Sequence, residues 1–168
     1  MRSIIIAFFL CLVIGCKTID STSYVAPETD GTIQIEDIYV TVGVHPSNGS
    51  VISDKTYYLP TKHWIKTVYV NYLSSKFYNK KYKLESFDCD NFSLGAQEVA
   101  SDLNSLNDYQ LAIGEFFYIQ ESTNRGHAIN FFLYKEGGDV RMGFIEPQNG
   151  RIVYLTRNEI ASCIYWKI

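Results

Sequence analysis

The chain has 168 residues, of which 46% are hydrophobic, so it is long enough for one domain with its own core, and the composition argues against a disordered chain. A formal net charge of −3 excludes the strongly basic surface that is typical of nucleic-acid-binding proteins. Aromatic residues make up 15% of the chain and favour a β-rich body, because aromatic side chains fit pleated sheets.

The N-terminus has the pattern of an export signal. Arg2 is followed by an apolar run over residues 4–14, which is shorter than the roughly 20 residues of a membrane-spanning helix. Residues 13–16 resemble a bacterial lipobox, which implies cleavage before Cys16 and lipidation of its thiol. We therefore predict a lipoprotein signal peptide over residues 1–15 and a lipid-anchored location in the cell envelope, on its periplasmic or surface face. An ordinary signal peptide or a short N-terminal anchor is the alternative.

The next segment is polar and contains Pro and Gly, which predicts a tether over residues 16–31 and a folded domain over residues 32–168. Apolar residues alternate from Ile33 to Val42 with a slip near Asp37, and this pattern predicts a strand with a bulge. After a turn signal, residues 51–59 are its expected hairpin partner.

Helical and strand periodicities then predict the rest of the domain. Two amphipathic helices are expected, over residues 62–78 and from about Asp90 to Leu103. Strands are expected over residues 114–120, 128–134, 140–145 and 152–155, with turns at 137–138 and 149–150. The predicted fold class is α+β.

Three residues in this framework have the chemistry of a thiol nucleophile with an oriented base. Cys89 opens the second predicted helix, and a thiolate is favoured by a helix N-terminus and by a nearby imidazolium. His127 directly precedes one strand candidate and Glu146 directly follows the next, and the hairpin turn between the strands places both residues at the same end of the sheet. The order predicts Cys89 as nucleophile, His127 as base and acid, and Glu146 as the group that orients the imidazole. The alternative for each is structural: a buried small thiol, a core histidine and a surface acid.

Two acids flank the thiol, and adjacent carboxylates oppose its ionisation. Asp88 is placed to cap the helix, and Asp90 lies where acids favour the helix dipole. Alternatively Asp90, with Asp88, holds a hard cation such as calcium. A disulfide between Cys89 and Cys163 is also left open, since both thiols belong to a chain with an export signal.

Three short blocks resemble the papain-like and transglutaminase-like superfamily, and in particular the papain-like domain at the C-terminus of fungal agglutinins. They are Asp88–Phe92, Gly126–Asn130 and Glu146–Gln148, within a match over about residues 57–155. The resemblance implies a papain-like core in which the helix that bears Cys89 packs on an antiparallel sheet that bears His127 and Glu146. It also implies a Cys-His-Glu triad and calcium dependence, with Asp90 as the candidate ligand.

From residue order and resemblance we predict an exported, lipid-anchored thiol hydrolase (a cysteine peptidase) that cleaves or transfers an amide bond of a protein or peptide, with no nucleic-acid partner. One alternative is a catalytically inactive surface lipoprotein of the same fold that acts as a binding or phage-exclusion module. Another is a peptidoglycan amide hydrolase. The papain-like cell-wall hydrolases have Ser-Gly after their Asp-Cys pair, and the Asp90-Asn91 pair of this chain departs from that pattern.

Overall fold

The computed structural model describes residues 24–44 and 49–168, in which most helices precede a run of four consecutive strands. The helices in this part of the chain are α1 (Ile35–Val42), α2 (Lys62–Trp64), α3 (Val70–Phe77), α4 (Cys89–Asn107) and α5 (Arg157–Ala161), with a π-helical turn, Ile65–Tyr69, joining α2 to α3. The strands are β1 (Thr29–Gln34), β2 (Ser50–Val51), β3 (Thr56–Pro60), β4 (Ile113–Gln120), β5 (Arg125–Glu136), β6 (Asp139–Glu146), β7 (Arg151–Val153) and β8 (Tyr165–Lys167).

Six strands form the main sheet in the order β2-β8-β4-β5-β6-β7, and β1 pairs with β3 in a separate two-stranded sheet. All pairs are antiparallel except β2 with β8. The hairpin predicted at residues 137–138 is confirmed: Glu136 pairs with Asp139, and Gly137 and Gly138 have positive φ values of 63° and 93°. A side chain is strained in that backbone region, so glycine suits both positions.

Two hydrophobic clusters lie on opposite faces of the main sheet. One is centred on Phe116, Phe131 and Trp166, while the other joins α3 and α4 to β5. The stripe predicted for the second helix is buried as expected: Phe92, Ala96, Val99 and Leu103. The fold is therefore mixed helix and sheet, with a helix that begins at Cys89 on an antiparallel sheet. The papain-like core stays a prediction.

The first predicted strand is wrong in its second half. The strand ends at Gln34, and the residues that follow form α1, whose buried side chains are Ile38 and Val42. Spacings of three and four residues among apolar positions suit a helix as well as an interrupted strand. Glu36 and Asp37 lie in the first turn of α1, where acids favour the helix dipole, and Gly43 ends it in the left-handed conformation. The slip near Asp37 is the start of this helix.

Several N-terminal predictions lie outside the described residues, namely the signal peptide, the lipidated Cys16 and most of the turn over 46–49. The strand β1 starts at Thr29, inside the segment assigned to the tether, and the Val25 amide donates to the Tyr72 hydroxyl at 2.7 Å. Across residues 24–44 and 49–168, no helix combines the length and the apolar character that a membrane span needs.

Candidate functional sites

The first turn of α4 presents Cys89. Asp88 is its N-cap in extended backbone, and a capping box joins it to Asn91: the Asp88 side chain accepts from the Asn91 amide, and the Asp88 amide donates to Asn91 Oδ1 at 3.2 Å. The predicted cap at Asp88 is therefore confirmed. Cys89 is the first helical residue, as the sequence indicates.

The surroundings of Cys89 keep its thiol protonated. Partial burial raises the pKa of Cys89 above its ordinary value, and the charges of Asp88 and Asp90 raise it further. Backbone hydrogen bonds from Ala128 and Asp90 act in the opposite direction, but they do not reverse the shift. A neutral thiol is a weak nucleophile, because the thiolate is the attacking species.

His127 and Glu146 meet as predicted from the hairpin. His127 Nε2 lies 2.8 Å from Glu146 Oε2, and the side chains are only 18% and 16% exposed. The Tyr118 ring packs edge-on against the imidazole, with centroids 5.8 Å apart. Burial raises the pKa of Tyr118 to about 12, with smaller contributions from Glu159, Glu146 and Cys89. We call Cys89, Tyr118, His127 and Glu146 the thiol cluster.

The thiol itself is not joined to the imidazole. Among the hydrogen bonds of the described residues, none links the Cys89 sulfur to the His127 ring, and the thiol bonds to backbone instead. The disulfide left open by the sequence is not formed, since Cys89 and Cys163 are both free thiols. Cys163 is buried, and burial raises its pKa to about 12. The cluster is thus a hydrogen-bonded His–Glu pair beside a thiol whose pKa is raised.

The two acids next to Cys89 give little support for a cation. The Asp88 side chain is engaged in the helix cap. The pKa of Asp90 is raised, mainly by a side-chain hydrogen bond with Asp88 and secondly by burial. In residues 24–44 and 49–168, no three His, Cys, Asp or Glu side chains come together in a way that could hold a metal ion. These residues do not make a complete calcium site, and calcium binding by Asp90 and Asp88 stays a prediction from resemblance.

A second site lies where β3 meets the C-terminal end of α4. It is a polar cleft of about 410 Å³, within the range of roughly 300–1,000 Å³ of small-molecule pockets. Tyr58 and Tyr109 stack in it with ring centroids 4.4 Å apart, and both are half-buried. Its other lining side chains are all polar: Asp54, Thr56, Asn104, Ser105, Asp108 and Gln110. We call this set of residues the tyrosine cleft.

Backbone and amide hydrogen bonds hold the tyrosine cleft in place. The Tyr58 amide donates to the Gln110 carbonyl at 2.7 Å, and the Tyr58 carbonyl accepts from the Ala112 amide at 2.8 Å. Asn104 donates from Nδ2 to Gln110 Oε1 at 2.6 Å, and its Oδ1 accepts from the Leu111 amide at 2.9 Å. The aromatic and amide groups are therefore fixed before a ligand arrives, which lowers the entropic cost of binding.

Sequence reasoning missed the tyrosine cleft. Its residues come from positions 54–58 and 104–110, which carry no recognisable motif and are about fifty residues apart. The only local signal is the polar run around Asn107-Asp108, which marks a helix end and predicts no ligand. The two segments meet because β3 hydrogen-bonds to residues 110 and 112.

The comparisons with known proteins match the chain to a domain found at the C-terminus of a lectin family. A family model described as the ricin-type beta-trefoil lectin C-terminal domain matches residues 31–163. Similar solved structures include one titled PSL1a-E64 complex, with a TM-score of 0.63, 20% identity, and coverage of 83% of this chain and 52% of that chain. No curated protein matches the sequence significantly.

Another similar structure is that of Polyporus squamosus lectin bound to the human-type influenza-binding epitope Neu5Acα2-6Galβ1-4GlcNAc. Its TM-score is 0.63 at 20% identity, and the alignment covers 83% of this chain and 50% of that chain. The chain thus spans about half the length of these two solved proteins. At this identity the likeness shows a shared fold.

These findings contradict the predicted thiol hydrolase. The family and its solved relatives point to a lectin fold, so the predicted amide-cleaving peptidase is wrong, and the binding-module alternative fits better. The resemblance to the C-terminal domain of fungal agglutinins is confirmed, while its papain-like protease part has no support. No comparison tests the individual roles of Cys89, His127 and Glu146, which stay predictions.

Proposed function

Because the chain belongs to the ricin-type beta-trefoil lectin C-terminal domain family, we propose that it is a carbohydrate-binding module of the cell envelope. The family match over residues 31–163 is the observation that carries the proposal. The location rests on the N-terminal pattern, with a signal peptide over residues 1–15, a lipid anchor at Cys16 and a tether that ends before β1 begins at Thr29.

We assign the ligand to the tyrosine cleft because its chemistry suits a sugar. Aromatic rings pack against the C–H faces of a sugar ring, while carboxylate and amide groups bond to its hydroxyls. The cleft combines the stacked Tyr58 and Tyr109 with Asp54, Asp108 and two amides. The Tyr109 hydroxyl can donate a hydrogen bond at neutral pH, as any tyrosine can, and burial and the neighbouring Tyr24 and Tyr58 raise its pKa further.

The charge of the cleft favours a neutral sugar. Asp54 and Asp108 are its charged lining residues, and no lysine or arginine is among those that line it. The Polyporus lectin structure contains a glycan that ends in Neu5Ac, which carries a carboxylate. Two aspartates would repel such an acid, so a neutral hexose or N-acetylhexosamine is the preferred ligand here.

Titration calorimetry and saturation-transfer NMR of the full chain test this proposal. Galactose, N-acetylglucosamine and N-acetylneuraminic acid are the probes. We expect saturable binding of a neutral sugar and weaker binding of the acid. Cys89→Ala is the control and is expected to bind like the wild type. A folded wild-type chain that binds none of these sugars contradicts the proposed function, while binding that Cys89→Ala abolishes contradicts the site.

A further inference from the structure

The segment between α3 and α4 exposes large apolar side chains on a basic background. Tyr78 is 84% exposed, Leu84 is 67% exposed and Tyr82 is 51% exposed. Residues 76–86 contain four lysines and one glutamate, a net charge of +3 within a chain whose net charge is −3. Exposed apolar groups among lysines are the pattern of a surface that meets an anionic lipid interface.

The backbone of this segment is a defined turn. Lys83 and Phe87 exchange two backbone hydrogen bonds of 2.8 Å each, and the Lys80 amide donates to the Phe77 carbonyl at 2.9 Å. Glu85 adopts a positive φ of 63°, which closes the turn next to Leu84. Leu84 therefore lies at the tip of the turn, where its side chain is exposed.

The lysines differ in how far they are engaged within the protein. Lys76 is paired with Glu98 at 2.8 Å, and Lys80 Nζ lies 5.6 Å from the centroid of the Phe87 ring. Lys81 and Lys83 are exposed on the turn itself. Lysines near an anionic membrane each strengthen binding, and tyrosines favour the headgroup level, where the ring is apolar and the hydroxyl is hydrated.

We propose that residues 78–86 dock the domain on an anionic phospholipid surface, with Leu84 and Tyr82 in the headgroup region and the lysines on the phosphates. This docking turn is separate from the lipid anchor and from the sugar site. We infer a membrane and not a soluble polyanion as the partner, because a polyanion binds the lysines but has no apolar region into which Leu84 can insert.

The docking turn is distinct from the tyrosine cleft. α4 begins at Cys89, just after the turn, and carries Asn104 near its other end. At 1.5 Å per residue, these positions are separated by roughly 22 Å along the helix axis. Substitutions in residues 78–86 therefore leave the sugar site intact.

A tryptophan reporter tests the docking turn in the full chain reconstituted into vesicles. Trp64 and Trp166 are fully buried, so a Tyr82→Trp variant adds an exposed indole to a shielded background. With phosphatidylserine vesicles that contain brominated lipid, we expect a blue shift and quenching of the added indole. Tyr154→Trp, at a position that is 85% exposed elsewhere on the chain, is the matched control and is expected to stay unquenched.

Two further variants separate lipid from polyanion. Lys80→Gln/Lys81→Gln/Lys83→Gln in the Tyr82→Trp background is expected to shift the docking equilibrium roughly 100-fold, at about fivefold per lysine, and so to reduce the quenching. Leu84→Ser is expected to reduce quenching while leaving heparin binding unchanged. Equal quenching at positions 82 and 154, no preference for phosphatidylserine over phosphatidylcholine, or an unchanged Leu84→Ser variant overturns the proposal. These side chains are exposed, so the variants are expected to fold, which circular dichroism checks.

Discussion

The thiol cluster and the tyrosine cleft lie at opposite ends of α4, and they differ in how they are built. The thiol cluster is set into the core: Tyr118 is 3% exposed, and the His127–Glu146 ion pair is largely covered. The tyrosine cleft is open and polar, and its two segments are held together by backbone hydrogen bonds of Tyr58 in β3. The two regions therefore call for different tests: loss of stability for the covered cluster, and loss of ligand affinity for the open cleft.

The largest expected effect breaks the ion pair of the thiol cluster. Glu146→Ala leaves His127 without its partner in a largely covered position, and we expect it to lower the free energy of unfolding by about 2 kcal/mol. Urea denaturation measures it. Asp54→Ala, in the tyrosine cleft, is the matched control and is expected to change the free energy of unfolding by less than about 0.5 kcal/mol. Equal losses from the two variants would remove the distinction between the regions.

The second prediction concerns the aromatic wall of the tyrosine cleft. Tyr109→Ala removes one ring of the stacked pair, and we expect the affinity for the neutral sugar to fall about fivefold, since an aromatic contact is worth about 1 kcal/mol. Tyr109→Phe keeps the ring and is expected to bind within about threefold of the wild type. Calorimetry of both variants separates stacking from the hydroxyl. An affinity that Tyr109→Ala leaves unchanged would place the sugar elsewhere.

The third prediction uses pH to test the state of Cys89. Its pKa is raised, so the protonated thiol persists above the ordinary value of about 8.5. We expect alkylation by iodoacetamide at pH 7 to be several-fold slower than that of a small free thiol. The rate should rise about tenfold per pH unit until the raised pKa is passed. Mass spectrometry locates the label, and Cys89→Ser controls for Cys163. Rapid labelling that is already constant below pH 7 would indicate an activated thiolate.

The sign of this shift also fixes its effect on stability. A group whose folded pKa is raised binds its proton more tightly in the folded state, so its contribution is complete below the unfolded pKa. The contribution is lost as pH rises from that value to the folded pKa. For Cys163, whose folded pKa is about 12, the loss extends from about pH 8.5 to about pH 12.

The sequence predicts those parts of the fold that local rules determine. The two glycines at 137–138 and alternating strands identify the β5–β6 hairpin, and this hairpin brings His127 to Glu146. Asp88 before an apolar stripe identifies the start of α4. The α1 segment was predicted as a strand because its apolar spacing suits both a helix and a strand. Which of the two forms depends on the pairing of β1 with β3, which ends at Gln34.

The tyrosine cleft could not be predicted because no local rule brings its halves together. Residues 54–58 meet residues 104–110 through the backbone hydrogen bonds of Tyr58 and the Tyr58–Tyr109 ring contact, which are long-range contacts. The hydrolase function predicted from the order of Cys89, His127 and Glu146 is contradicted by the family match. Residue order also does not reveal that the Cys89 thiol bonds to backbone and not to the His127 ring, because that contact is tertiary.

The smallest expected effect concerns Asp108 of the tyrosine cleft, where changes in stability can be separated from changes in sugar affinity. Asp108 ends α4 in the left-handed conformation, with φ 56° and ψ 26°, which glycine adopts more readily than an L side chain. We expect Asp108→Gly to change the free energy of unfolding by only a few tenths of a kcal/mol, in the stabilising direction, because relief of the left-handed strain slightly exceeds the added entropy of the unfolded chain. Asp108→Ala retains the strain and is expected to cost about 0.5–1 kcal/mol.

Both Asp108 variants remove the same carboxylate from the tyrosine cleft, so the proposed sugar site requires both to lose affinity equally, by a few-fold, despite their opposite effects on stability. Thermal unfolding and calorimetry on the same samples measure the two quantities. Affinities that instead follow stability would mean that the cleft responds to folding alone. Equal affinity losses with divergent stabilities would assign Asp108 a role in recognition. The His127–Glu146 pair of the thiol cluster does not permit this separation of binding from stability, because its two side chains are bound to each other.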